Sequence, residues 1–218
     1  PDDVAAMTLE GEVLVRQQRF DLAAQAYRRA SDAGAGQFAA LREYQARVDG
    51  EEANPEVALQ RWLGDSPDDA LARSFLAQHF QNYGQADAAV REYQRILESQ
   101  PDNGDVLNNL AWQYQQLGQI DRALSLAEKA VSLNGESGSY ADTLGWIYRD
   151  LGRLDDSLRM LEVAAQLSPG NGEIHYHYAV ALHESGDSRR ARNILEELKN
   201  NNASFPSRKL ADELLERL

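Results

Sequence analysis

From residue 70 onward the alternation of apolar and polar positions repeats every 34 residues. The segments LNNLAWQYQQLG (107–118) and ADTLGWIYRDLG (141–152) share the phrase L-[AG]-W-x-Y-x-x-L-G at that offset. Within one period Leu107, Leu110, Ala111 and Tyr114 recur at helical spacing. A glycine follows, and then Ala123, Leu126, Ala127 and Ala130 recur at the same spacing. This pattern predicts two amphipathic helices joined by a tight turn. The fifteenth place of each period is Gly84, Gly118, Gly152 or Gly186, a residue suited to the positive φ of a helix C-terminus. Small residues fill the eighth place (Ala77, Ala111, Gly145, Ala179) and the twentieth (Ala89, Ala123, Ser157, Ala191), so the two helices of a hairpin can approach closely. Pro67, Pro101 and Pro169 mark helix ends. A single hairpin cannot bury its apolar stripe alone, whereas a stack of them can.

Four units follow the pattern closely: 70–103, 104–137, 138–171 and 172–205. Two degenerate units precede them in 1–69. In the first, QQRFDLAAQAYRRA (17–30) supplies a good second helix with Ala23, Tyr27 and Ala30 in place. In the second, Gly50 and Pro67 are kept, but Arg42 and Glu43 stand where an apolar and a small residue belong. Irregular packing is expected there, with a second helix that starts late, Asn54 as its N-cap and Pro55 in its first position. The last segment, 206–218, is expected to form a capping helix that turns Leu210, Leu214 and Leu215 inward.

The period and the small–large–small signature resemble the tetratricopeptide repeat (TPR). That resemblance implies an all-α, right-handed superhelical solenoid of about thirteen helices. The phrases L-x-N-L-A-W and D-T-L-G-W over 104–205 resemble bacterial envelope TPR proteins of exopolysaccharide systems, including PEP-CTERM-associated lipoproteins. The resemblance implies a non-enzymatic scaffold that recruits a protein or peptide partner in the cell envelope, on the periplasmic side. The alternative from another class is a module that binds a polysaccharide directly.

Composition narrows the field. Alanine, leucine, glutamine, arginine and glutamate dominate, and β-branched residues are few, which favours helix over strand. A formal net charge of −13 argues against sequence-independent nucleic-acid binding, which needs clustered cations. It also argues against docking on anionic lipid. No apolar run is long enough to span a bilayer. The absence of cysteine removes disulfides, thiol catalysis and cysteine-ligated zinc. The chain opens PDDVAAMTLEG and reads as part of something longer.

Tests for catalysis and cofactors point to none. Gly34-Ala35-Gly36 lacks the preceding strand of a dinucleotide site. His183-Glu184 continues Ser-Gly-Asp and forms no zinc motif, and His175 and His177 fall on different helix faces. Asp102–Asp105 is short of calcium ligands, and Asn202-Ala203-Ser204 matches a glycosylation sequon. No cofactor, metal or active-site constellation is therefore expected.

The TPR resemblance places the second, fifth, sixth, ninth, twelfth and thirteenth positions of each unit on a concave groove. The candidate binding residues drawn from these are Gln78, Asn108, Asn109, Trp112, Asp142, Trp146, Arg149, Tyr176, His177 and His183. The set is rich in amides, acids and aromatics and contains no lysine. The lysine- and arginine-based carboxylate clamp of chaperone-binding TPRs maps to Ser74, Gln78, Asn109, Ser139 and Thr143. Asn109 alone fits that clamp, so capture of a terminal carboxylate is rejected. Two roles are open to Trp112 and Trp146: indoles wedged between successive first helices, or a paired aromatic platform for a ligand.

Overall fold

The computed structural model describes residues 3–202 and 204–218. The first two residues of the 1–69 segment, and Ala203 at the centre of the sequon, lie outside the described residues. Among the described residues there are thirteen α-helices and no strand. The chain packs as two compact units, 1–99 and 100–218.

The first unit contains α1 (Val4–Arg16), α2 (Phe20–Ala30), α3 (Gly36–Asp49), α4 (Val57–Asp65), α5 (Ala70–Asn82) and α6 (Ala86–Ser99). The second contains α7 (Gly104–Gln116), α8 (Ile120–Leu133), α9 (Gly138–Asp150), α10 (Leu154–Leu167), α11 (Gly172–Glu184), α12 (Ser188–Asn200) and α13 (Arg208–Arg217). Helices pair as hairpins, α7 with α8, α9 with α10 and α11 with α12, and each hairpin packs on the next.

Short-range chemistry explains where the helices begin. Asp69, Asn103, Ser137 and Asn171 stand 34 residues apart and cap α5, α7, α9 and α11, each side chain accepting a backbone N–H of the first turn. Asp3 does the same for α1. At the start of α3 the corresponding residue is Ala35, which has no side-chain acceptor. There α2 runs through a π-turn at Ser31–Ala35, and Gly34 (φ 104°) and Gly36 (φ 65°) redirect the chain.

All six first helices end in the same motif. A residue in left-handed conformation is followed by an N–H that donates five residues back, as from Gln119 to the Tyr114 carbonyl at 2.8 Å. Gly84, Gly118, Gly152 and Gly186 fill the left-handed position in four of them. In the first unit Gln18 (φ 58°) and Glu51 (φ 54°) fill it instead. Gly50 was expected to be the turn glycine, but its φ is −85° and it only caps α3, because that helix runs one residue further. The expected start of α4 also needs correction. Asn54 and Pro55 form a turn, and the helix begins at Val57 with Glu56 as an N-cap that makes no side-chain bond.

The eighth and twentieth places are buried. Ala77, Ala111, Ala179, Ala89, Ala123 and Ala191 are all fully covered. A methyl group on Gly145 would sit 2.7 Å from Leu161 Cγ, so α9 and α10 touch at that point. The twenty-fourth place carries the larger plugs Tyr27, Leu59, Tyr93, Leu161 and Leu195, each buried to about 2% exposure or less, and Ala127 in the 104–137 unit. Burying one such side chain contributes roughly 1.5–3 kcal/mol.

Where Glu43 replaces the small eighth residue, its carboxylate is fully buried between Arg47 and Arg61, which both pair with it. Nearby, Asp69 accepts from Trp62 Nε1 (2.7 Å) and Gln37 Nε2 (2.6 Å) as well as from its own helix. Burial would raise that carboxyl, but these donors outweigh it and hold it below the ordinary aspartate value. His79 is buried against Tyr44 and Tyr83, which lowers its imidazole pKa, and Glu56 opposes the shift in part.

The cap at the C-terminus differs from expectation in one residue. Ala211 is buried, and Leu214, Leu215 and Leu218 pack on the α11–α12 core. Leu210 is 52% exposed and faces away from that core. The ring of Phe205 fills the space above Gly172, and Ser207 binds Glu173 through both its N–H (2.9 Å) and its hydroxyl (2.5 Å). This double contact sets the angle at which α13 starts, and so decides which leucine is left outside.

Candidate functional site

In the second unit the first helices α7, α9 and α11 lie side by side and line a concave space of about 570 Å³. Its wall combines Trp112, Asp142, Trp146, Tyr176 and His177, five of the ten candidates, with Gln115, Gln116, Thr143 and Glu173. Pro206, Ser207 and Leu210 complete it, which explains the outward face of Leu210.

Polar bonds between successive hairpins hold this wall in place. His177 Nδ1 lies 2.9 and 3.0 Å from the two oxygens of Asp142, and because a carboxylate can only accept, that nitrogen carries the proton. Glu173 lies 3.6 Å from Nε2 of the same ring. The His177 ring stacks on Trp146 with centroids 4.1 Å apart and planes 20° apart. The guanidinium of Arg149 also lies over the Trp146 ring, 4.4 Å from its centroid.

Arg149 is engaged on its charged side as well. Its Nε donates to Glu184 at 2.8 Å and a second nitrogen to the other Glu184 oxygen at 2.5 Å, while Asp150 lies 3.3 Å away. These carboxylates, Glu184 foremost, raise its pKa against the opposing effect of burial. Arg149 is therefore a strut between α9 and α11 and not a free groove cation. Gln115 Nε2 donates to Asp150 at 2.7 Å and extends the line back to α7. Burial raises the Tyr176 hydroxyl, with a further push from Glu173. At the rim Tyr140 donates to Asp105 at 2.6 Å, and burial together with that bond pushes its hydroxyl up to about 12.

The remaining candidates are dispersed. Gln78 is exposed on α5 in the first unit. Asn108 is buried, and its Oδ1 has no hydrogen-bond partner among the described residues. Asn109 is half-buried beside it and lies outside the groove lining. His183 is exposed and pairs with Ser188 at the α11–α12 turn, 3.0 Å away. The two tryptophans also differ: Trp112 is 36% exposed on the groove wall, while Trp146 is half-buried under His177 and Arg149.

The most useful missed signal is a second period. Asp105–Tyr140, Gln115–Asp150, Asp142–His177, Arg149–Glu184 and, in the first unit, Tyr44–His79 all join residues 35 apart. Complementary polar residues at one repeat plus one position mark contacts between neighbouring first helices. Pro206, Ser207 and Leu210 carry no such signal, since they follow the last repeat. Among the described residues no group of three or more His, Asp or Glu side chains is placed to hold a metal ion, and no helix is long and apolar enough to cross a membrane.

Family models described as tetratricopeptide repeat match residues 1–38, 92–125 and 148–211. Among curated proteins nothing matches. Several solved structures share the fold. A tetratricopeptide repeat protein from Parabacteroides merdae aligns with a TM-score of 0.76 at 15% identity, covering 93% of this chain and 80% of that one. MamA aligns with a TM-score of 0.59 at 16% identity, over 79% of this chain and 94% of its own. The Cut9–Hcn1 hetero-tetramer of APC/C aligns with a TM-score of 0.75 at 17% identity, over 100% of this chain and 43% of that one. At these identities the likeness concerns the fold.

Proposed function

We propose that this chain, built of tetratricopeptide repeats, is a non-enzymatic scaffold that recruits a protein partner through the concave groove of its second unit. The observation that carries the reading is the groove itself: a wall braced from hairpin to hairpin by polar bonds, with Trp112 left exposed on it. Rigid bracing lowers the ordering cost of binding, and an exposed indole beside carboxylates and amides is the composition of an interface anchor. A chain of the APC/C hetero-tetramer Cut9–Hcn1, a protein assembly, offers a precedent on the same fold. The sequence phrases over 104–205 extend the proposal to exopolysaccharide assembly or export in the bacterial envelope, on the periplasmic side.

Direct polysaccharide binding is the second reading, and Trp112 would be its stacking surface. It is less favoured because Trp146, the other half of the expected platform, is already overlaid by His177 and Arg149.

The test is partner capture by chemical cross-linking in extract of the source cells, read by mass spectrometry. Trp112→Ala should reduce capture at least tenfold, about 1.4 kcal/mol or more, as loss of an interface anchor does. Leu167→Ala, exposed on α10 and outside the groove lining, should leave capture unchanged. Capture that survives Trp112→Ala and fails with Leu167→Ala would move the interface off the groove.

A further inference from the structure

We infer that the groove of the second unit receives a cationic segment of the partner, with an arginine side chain laid on the exposed Trp112 indole and paired with the carboxylates of the same wall, Asp142 and Glu173. This inference rests on the scaffold reading above and adds the chemistry of the ligand.

Three independent observations lead to it. First, the charged groups on the groove lining are Asp142 and Glu173, with neither lysine nor arginine beside them. His177 lies between the two, its Nδ1 donating to Asp142 and its Nε2 3.6 Å from Glu173, and Ser207 donates twice to Glu173. A carboxylate offers about four acceptor sites, so both retain capacity for an incoming donor. At the flank two carboxylates, Glu184 and Asp150, already meet the one guanidinium of Arg149. Negative potential is therefore left over along the wall, within a chain whose formal net charge is −13.

Second, Gln115 lines the groove at 7% exposure, and its Oε1 has no hydrogen-bond partner among the described residues. Its amide nitrogen is committed to Asp150, so what remains is an acceptor alone. A buried acceptor without a donor is costly, and a small turn of the enclosed amide toward the groove would let a ligand N–H relieve it. An anionic ligand, or one offering only acceptors, would leave it unsatisfied.

Third, the wall already holds one guanidinium. Arg149 lies 4.4 Å over the Trp146 ring while Glu184 takes it through two nitrogens. An indole face plus a forked carboxylate is the environment that suits arginine's planar charge. Trp112, Asp142 and Glu173 repeat those ingredients in the open part of the groove.

The experiment selects phage-displayed random twelve-residue peptides on the whole 218-residue chain. It then titrates a selected arginine peptide against its citrulline counterpart, which keeps the shape and loses the charge. Enrichment in arginine or lysine, with at least tenfold weaker binding by the citrulline peptide and weakening as salt rises, is the expected result. Glu173→Gln with Asp142→Asn should weaken the arginine peptide at least tenfold, and Gln115→Leu should weaken it severalfold. The citrulline and salt comparisons use the unaltered chain, so they decide the matter even if the carboxylate variant unfolds. Selection of neutral or acidic peptides that Trp112→Ala releases would overturn the cationic assignment and leave groove recruitment standing. Selection of no peptide at all would overturn both.

Discussion

The first and second hairpins of the second unit bury alanine or glycine where the α3–α4 hairpin of the first unit buries a glutamate. At α7–α8 and α9–α10 the contact point is Ala111 or Gly145, and nothing beyond shape is required of the partner helix. At α3–α4 the same place is Glu43, fully covered and matched by Arg47 and Arg61. Both solutions keep the period. The first depends on steric fit and is satisfied locally. The second works only while every charge has its partner, because a stranded buried carboxylate costs far more than the pair contributes. Turn chemistry separates the first two hairpins from the rest: glycine takes the left-handed positions Gly84, Gly118, Gly152 and Gly186, while Gln18 and Glu51 take theirs at a conformational cost.

The largest effect should come from removing both cations. Arg47→Met with Arg61→Met leaves Glu43 buried without a partner and should destabilise the first unit by about 3–5 kcal/mol. Adding Glu43→Met should restore most of the loss, because an apolar trio needs no pairing. Hydrogen exchange resolved along the chain would read both, and unchanged protection in α3 and α4 would refute the account.

Gly145→Leu attacks the steric solution. Its Cβ alone would meet Leu161 Cγ at 2.7 Å, and the longer side chain should force α9 from α10 at a cost of roughly 1–3 kcal/mol or more. The same exchange experiment should place the loss in the second unit. A melting midpoint equal to that of the parent would mean that the hairpin yields without strain.

The smallest effect separates the turns. Gln18→Gly should stabilise the first unit by about 0.5–1 kcal/mol, the left-handed penalty less the extra freedom glycine has when unfolded. Gly118→Gln should cost the second unit a similar amount. If the two changes have the same sign in urea melts, backbone strain is not what distinguishes the turns.

Much of this was legible in the residues alone. The 34-residue period, the small eighth and twentieth places and the turn glycines specify helical hairpins, because helix spacing and turn chemistry are short-range properties that adjacent residues settle. The irregularity at 36–69 could be located from Glu43. Its resolution by Arg47 and Arg61 could not, since Arg61 lies on the next helix. The start of α4 at Val57 and the left-handed Glu51 were also missed, because chain ends of helices are decided by what they pack against.

The candidate site divides on the same line. The TPR resemblance, with which helical phase agrees, placed Trp112, Asp142, Trp146, Tyr176 and His177 on one face, and the groove contains all five. Helical phase could not show that Arg149 is bound by Glu184, that Asn108 is buried, or that His183 turns toward Ser188. Each of those outcomes depends on a residue brought near by stacking or by the turn of a hairpin. Leu210 makes the point most simply. By its place on the amphipathic face of α13 it reads as core, yet the bond from Ser207 to Glu173 and the fit of Phe205 over Gly172 rotate it into the groove. Periodicity by itself determined which faces are apolar; only tertiary packing decided which polar groups are consumed as struts and which remain for a partner.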